Sequence, residues 1–163
     1  MTMLNHPISP VYDGESKVLI LGSFPSVKSR EQQFFYGHKQ NRFWRVMAQV
    51  LGCAVPEDIP QKRAMLLANH IAVWDVIASC EITGSSDASI RNVVPNDLSQ
   101  IMTAADIRAI YTNGSKAHQL YQKYIFPING REAQLLPSTS PANAGYSLER
   151  LVEAWRVVGE ELM

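Results

Sequence analysis

The residues best equipped for chemistry fall in two short stretches. The first is Gly22-Ser23-Phe24-Pro25-Ser26, followed a little further on by Phe34-Phe35-Tyr36-Gly37-His38-Lys39-Gln40-Asn41-Arg42-Phe43-Trp44. The second is Leu136-Pro137-Ser138-Thr139-Ser140-Pro141-Ala142-Asn143. In an unremarkable domain the Gly-Pro turn is a strand exit, the aromatics are packing, and Asn41 is the N-cap of the helix that opens at Phe43. The second stretch is then a polar loop with two prolines. Capping does not explain why three aromatics, a His and an Asn crowd one loop. Several other chemistries have no motif here. The chain has no Gly-x-Ser-x-Gly elbow and no phosphate-cradling GxxxxGK. Cys53 and Cys80 lack the CxxC or His-rich spacing of a zinc site or disulfide framework. Lys17, Lys28 and Lys39 stand in no motif that marks a Schiff-base lyase, so neither a metal, a cofactor nor a covalent intermediate is expected.

The elements that must position these stretches can be read from apolar periodicity. Lys17-Val18-Leu19-Ile20-Leu21 runs into the Gly22 turn, Ile71 to Val76 is a second run, Arg108 to Thr112 ends at Asn113-Gly114, and Ala133 to Leu136 ends at Pro137. Such short, nearly continuous apolar runs suit strands covered on both faces. Between them, Phe43, Val46, Met47, Val50 and Leu51 recur at helical spacing with Gly52 as a stop. Leu148, Leu151, Val152, Trp155, Val158 and Leu162 repeat the pattern behind Ser147, a good N-cap. Further helices are expected from about Pro60 and over about Lys116 to Tyr124, and Trp44, Trp74 and Trp155 are assigned to the core. The alternation predicts one α/β domain over residues 1–163, a three-layer α/β/α sandwich with a short central parallel sheet. Ligands of such sheets bind beyond the carboxyl ends of the strands. Gly22 to Ser26, Asp75 and its successors, and Pro137 to Asn143 fall there.

Length and composition agree with one domain: 163 residues, 46% of them apolar, with no stretch long enough to span a membrane. The N-terminus has neither the basic flank nor the apolar core of a signal peptide, so a cytoplasmic location is expected. Fifteen Lys and Arg balance fifteen Asp and Glu, which at first argues against a nucleic-acid partner. The balance conceals unlike faces. Gly22 to Arg45 holds five basic residues against Glu31 alone, a net +4, whereas Glu149 to Met163 carries a net −2. A modest basic surface on one side is therefore expected, with an affinity that falls as salt rises.

The combination of a Gly-x-x-Pro turn after the first strand, His38-x-x-Asn41-Arg42-Phe43-Trp44, and a Pro-Ser-x-Ser loop after the last strand resembles the uracil-DNA glycosylase superfamily. The resemblance runs from about Val18 to Trp155. His38 to Trp44 is similar to the mismatch-specific uracil/thymine branch, and the full set is most similar to the hypoxanthine (deoxyinosine) branch. Two departures bear on mechanism. Most of the superfamily has Asp, Asn or Glu before the first-motif proline to handle the attacking water, whereas this chain has Phe24. The uracil-specific branch has a His before its Pro-Ser, whereas this chain has Leu136.

The resemblance implies a monomeric DNA glycosylase that flips a deaminated base out of single- or double-stranded DNA and releases it by water attack. It assigns catalysis to Asn41, whose amide is too weakly basic to take a proton and would instead hold the water, so slow turnover is expected. It places Gly22, Ser23, Phe24 and Pro25 around the base and makes Tyr36 the aromatic that stacks on it. Asp75, near the position where the uracil branch reads its base with an Asn, would accept the N1 hydrogen of hypoxanthine. DNA contacts fall to Ser26, His38, Arg42, Ser138, Thr139, Ser140 and Pro141, with Pro141 a wedge into the vacated duplex position. His6, His70 and His118 receive no role. The competing readings are a uracil or mismatched-thymine glycosylase and a non-catalytic DNA-binding module of the same fold.

Overall fold

The computed structural model describes residues 3–163. Its strands are β1 (Met3–Asn5), β2 (Val18–Gly22), β3 (Ile71–Asp75), β4 (Ile77–Glu81), β5 (Arg91–Pro95), β6 (Ala109–Asn113) and β7 (Gln134–Leu136). Its helices are α1 (Val27–Gln32), α2 (Phe43–Leu51), α3 (Ile59–Ala68), α4 (Ser99–Ala104), α5 (Ser115–Leu120), α6 (Phe126–Asn129) and α7 (Leu148–Leu162). The central sheet is parallel throughout, in the order β3-β2-β6-β7. Every residue of β2 and β3 is buried, as continuous Val/Ile/Leu runs require when helices cover both faces.

Helix α2 ends where Gly52 adopts φ +70°, and α7 begins on Ser147, whose Oγ accepts the Arg150 N–H. The apolar faces of these two helices pack on one another, burying Phe43, Met47, Leu151 and Trp155. All three tryptophans are in the core, and each indole N–H also donates to a loop carbonyl: Trp44 to Tyr36, Trp155 to Pro137, and Trp74 to Ile8. Their bodies fill the interior while their polar edges pin the loops beyond it. No helix among the described residues is long and apolar enough to cross a membrane.

Three features depart from the expected layout. Past Asp75 the chain continues through Val76 into β4, which joins a second, antiparallel sheet in the order β1-β4-β5. These strands are half exposed, and β1 pairs with a segment far along the chain, so neither burial nor local alternation announced them. The helix expected over Lys116 to Tyr124 is α5 followed by a π-helical turn over Tyr121–Ile125 and then α6, with Gly130 at φ +67° closing it. Helices α1 and α4 are six residues each, too short to display an apolar stripe.

Candidate active site

Sheet register sets the site. Gly22 pairs with Asp75 and Asn113 with Leu136, so the carboxyl ends of β2, β3, β6 and β7 lie in a row. Beyond them opens a cavity of about 150 Å³ bordered by the Gly22 turn, the Tyr36 to Asn41 loop and the Ser138 to Pro141 loop.

Asp75 forms the floor and is 3% exposed. Its Oδ2 lies 2.7 Å from Nε2 of His6, whose side chain is equally buried. His6 Nδ1 accepts the Ile8 N–H at 3.2 Å. A ring whose Nδ1 is an acceptor must carry its proton on Nε2, so His6 donates and Asp75 accepts. Phe24, Phe35 and Trp74 surround the imidazole at centroid distances of 5.9 to 6.2 Å. His6 is therefore no bystander. Its pairing with a residue 69 positions away left no local trace.

Gly22 is needed at the floor because a Cβ there would overlap Asp75 Oδ1 and lie 3.2 Å from the Tyr36 hydroxyl. Asp75 Oδ1 and Tyr36 Oη thus both crowd the space beside the Gly22 Cα. The Tyr36 hydroxyl is buried without a hydrogen bond of ordinary geometry. Burial raises its ionisation far above the usual phenol range, the Asp75 carboxylate adds to the rise, and the Asn113 side chain opposes it. Tyr36 itself has φ +52°, and its ring stacks on Phe43 at 4.1 Å. Phe43 thus backs the ring, which borders the cavity.

Asn41 lines the cavity and its Oδ1 accepts the Phe43 N–H at 2.9 Å. Asn41 is not the N-cap of α2, a position held by Arg42 without a side-chain cap bond; its bond to the Phe43 N–H is a local turn that orients the amide and leaves the second lone pair of Oδ1 and the NH2 group for a ligand. His38 Nδ1 accepts the Gln40 N–H and the His38 carbonyl accepts the Asn41 N–H, so His38 braces this loop from the cavity wall.

Two residues grouped with the DNA contacts are turned inward. Arg42 donates to the carbonyls of Ser140, Asn143 and Tyr146, clamping the second loop against the start of α2 rather than facing an external phosphate. Thr139 is fully buried. Its hydroxyl and N–H bond the two ends of the Asn113 amide at 3.0 Å each, and its carbonyl accepts the Arg42 N–H. Gly114, at φ +98°, lets this loop approach, since a Cβ there would sit 3.0 Å from that of Ser138. Ser138 and Ser140 accept backbone N–H groups two residues on, and Ser26 caps α1 through the Ser29 N–H, while Pro141 is exposed at the loop tip.

Asp87 and Asn113 also line the cavity and were not among the predicted residues. Asn113 ends a strand at an Asn-Gly turn, the same signal that marks Gly22 and Asp75. Asp87 lies on a hairpin loop with no motif. Its Oδ1 accepts from Ser23 Oγ at 3.1 Å at the open rim. Solvent reaches it, yet crowding by the cavity wall raises its carboxyl above the usual carboxylate range. Ser23 and Lys116 oppose that rise and Asp75 adds to it.

The basic segment is less available than its count suggests. Arg42 is internal, Arg30 donates to the Gly84 carbonyl, and Lys28 pairs with Glu31 at 3.4 Å. Lys39 and Arg45 remain exposed beside the site.

The family model for the uracil DNA glycosylase superfamily matches residues 9–158. The chain is 34% identical over 158 residues to a hypoxanthine DNA glycosylase of Methanosarcina acetivorans, covering 96% of this chain and 98% of the relative. It is 32% identical over 136 residues to one of Methanosarcina barkeri, covering 82% and 85%. A solution NMR structure of a Methanosarcina acetivorans protein, described as a candidate uracil DNA glycosylase, superposes with a TM-score of 0.83 at 32% identity and covers 99% of both chains. With a parallel sheet whose strand ends frame one cavity, and with relatives matched over almost its whole length, the chain belongs to the uracil DNA glycosylase superfamily.

Proposed function

We propose that this protein is a monofunctional DNA glycosylase that hydrolyses the N-glycosidic bond of deoxyinosine and releases hypoxanthine. The observation that carries the reading is a hydrogen-bond acceptor, Asp75, at the closed end of a cavity that also holds Asn41. Hypoxanthine presents an N1–H to that acceptor. Adenine presents a lone pair at N1, which a carboxylate oxygen repels. The names of the two Methanosarcina relatives support the same substrate.

The target nucleotide swings out of the stack and its base enters the cavity beside Tyr36. The carbonyls of Gly22 and Ser23 already accept the N–H groups of Val76 and Ile77, so contacts from this turn fall to its N–H groups and to the rings of Phe24 and Pro25. The bond from C1′ to N9 then breaks with its electron pair passing to the base, and positive charge develops on the sugar. Asn41 holds a water through the free lone pair of Oδ1, the water oxygen bonds to C1′ and its proton leaves to solvent, while the departing base anion takes a proton from solvent to become neutral hypoxanthine. With no side chain at Phe24 able to accept a proton, the enzyme contributes positioning and electrostatics, and turnover is slow. Ser26, Ser138 and Ser140 hold the backbone, through N–H groups where their hydroxyls are engaged, and Pro141 fills the vacated stack. The protein acts as a monomer in the cytoplasm.

A uracil glycosylase is the second reading, because the N3–H of uracil also suits Asp75. Leu136, buried at 2% exposure, counts against it, since an apolar side chain gives no help to a departing uracil anion. Incubation with duplexes carrying inosine, uracil or mismatched thymine, followed by alkali, separates the two. Fastest strand scission at inosine is expected, and scission confined to uracil or thymine overturns the proposal.

A further inference from the structure

We propose that His6 is a positioning residue that fixes the polarity of base recognition: by donating to Asp75 Oδ2 it keeps Oδ1 as an acceptor on the cavity floor, which matches a ring N–H and repels a ring lone pair. The inference rests on the glycosylase reading for its ligand but not for its geometry. Two observations make it. The Ile8 N–H leaves His6 a single neutral tautomer, with the proton on Nε2. The Nε2 to Oδ2 bond, 2.7 Å long between two buried side chains, leaves the carboxylate one free oxygen, which lies over Gly22.

An N–H beside a C=O is the edge that deamination creates. Hypoxanthine and uracil carry it, whereas adenine and cytosine carry the inverse, a ring nitrogen lone pair beside an amino group. Guanine shares the edge, so its rejection falls to the cost of opening its stronger pair and not to this floor. The N-terminal segment, through one imidazole, thereby takes part in separating deaminated from normal bases.

The decisive variant is Asp75→Asn. Because His6 only donates at Nε2, the amide must turn its oxygen to His6 and its NH2 to the cavity, which reverses the polarity of the floor. In the double variant His6→Phe/Asp75→Asn the amide is free to turn over, and Phe fits among Phe24, Phe35 and Trp74. Binding to uncleavable 2′-fluorinated duplexes bearing inosine or adenosine is measured by fluorescence anisotropy, so the result stands whether or not the protein cuts.

The preference for inosine is expected to fall by about 10- to 100-fold in Asp75→Asn, the effect of one mispaired buried polar group. The double variant should regain roughly a third to a half of that loss on a logarithmic scale, and His6→Gln, which still donates, should stay near wild type. Nitrogen NMR of His6 should show protonated Nε2 and bare Nδ1. Equal preference in Asp75→Asn and the double variant, both folded by circular dichroism, overturns the proposal, as does an Nδ1–H tautomer. Selective binding of inosine without cleavage would instead remove the hydrolase reading and leave the role of His6 standing.

Discussion

Replacing Gly22 by Ala places one methyl group where the floor has no room. The new Cβ overlaps Asp75 Oδ1 and stands 3.2 Å from the Tyr36 hydroxyl. Neither backbone can retreat, because Gly22 and Asp75 are paired neighbours in β2 and β3 and β2 is held on its other side by β6. Relief must come from rotation of the carboxylate, which is tied to His6 at 2.7 Å. A buried hydrogen bond to a charged group is worth about 1.5–3 kcal/mol. A loss of about 2 kcal/mol in a domain of this size lowers Tm by about 4–8 °C. The rotation also removes the acceptor, so the rate at inosine relative to adenosine should fall about tenfold or more. The assays are thermal melting and single-turnover cleavage with alkali development. Gly145→Ala, where a Cβ meets open space, is the control and should stay within about 0.5 kcal/mol. A Gly22→Ala protein that melts and cuts as wild type refutes the placement of Asp75 against Gly22.

Asn41→Ser keeps an oxygen able to accept the Phe43 N–H but loses the amide, so cleavage should fall about 100-fold with Tm nearly unchanged, whereas Asn41→Ala should lose about 1 kcal/mol in addition. Thr139→Val removes the buried hydroxyl that accepts from the half-buried Asn113 NH2 and should cost about 1 kcal/mol by denaturant titration. With Lys39 and Arg45 the exposed, unpaired cations of the segment Gly22 to Arg45, that segment should contribute a slope of log affinity against log salt near −2, well short of the −4 to −5 that all five of its basic residues would give. The raised Asp87 carboxyl binds its proton more tightly in the folded state. It therefore lowers stability as pH rises from its ordinary value of 3.8 through the folded one, and Asp87→Asn should flatten that part of the curve of stability against pH.

What the sequence made legible follows from range. The four parallel strands, the α2 and α7 faces and the Gly52 stop are local patterns, and the strand ends then located Gly22, Asp75 and the Pro137 loop. Asn113 carries the same strand-end signal. His6 and Arg42 act through contacts 69 to 104 positions away, and no periodicity records such a partner. Charge counting misled in the same way, because a guanidinium that holds three carbonyls counts as a surface cation until its direction is known. The antiparallel sheet leaves no apolar run because strands with one side in water need not be apolar.

The central claim is that the cavity over Asp75 releases a base bearing an N–H edge by hydrolysis. A duplex with one deoxyinosine, and its adenosine counterpart, incubated with the pure protein and split into samples with and without hot alkali, tests it most directly. The account predicts scission at inosine only after alkali and none at adenosine. Intact inosine strands after alkali, or equal scission at adenosine, would contradict it.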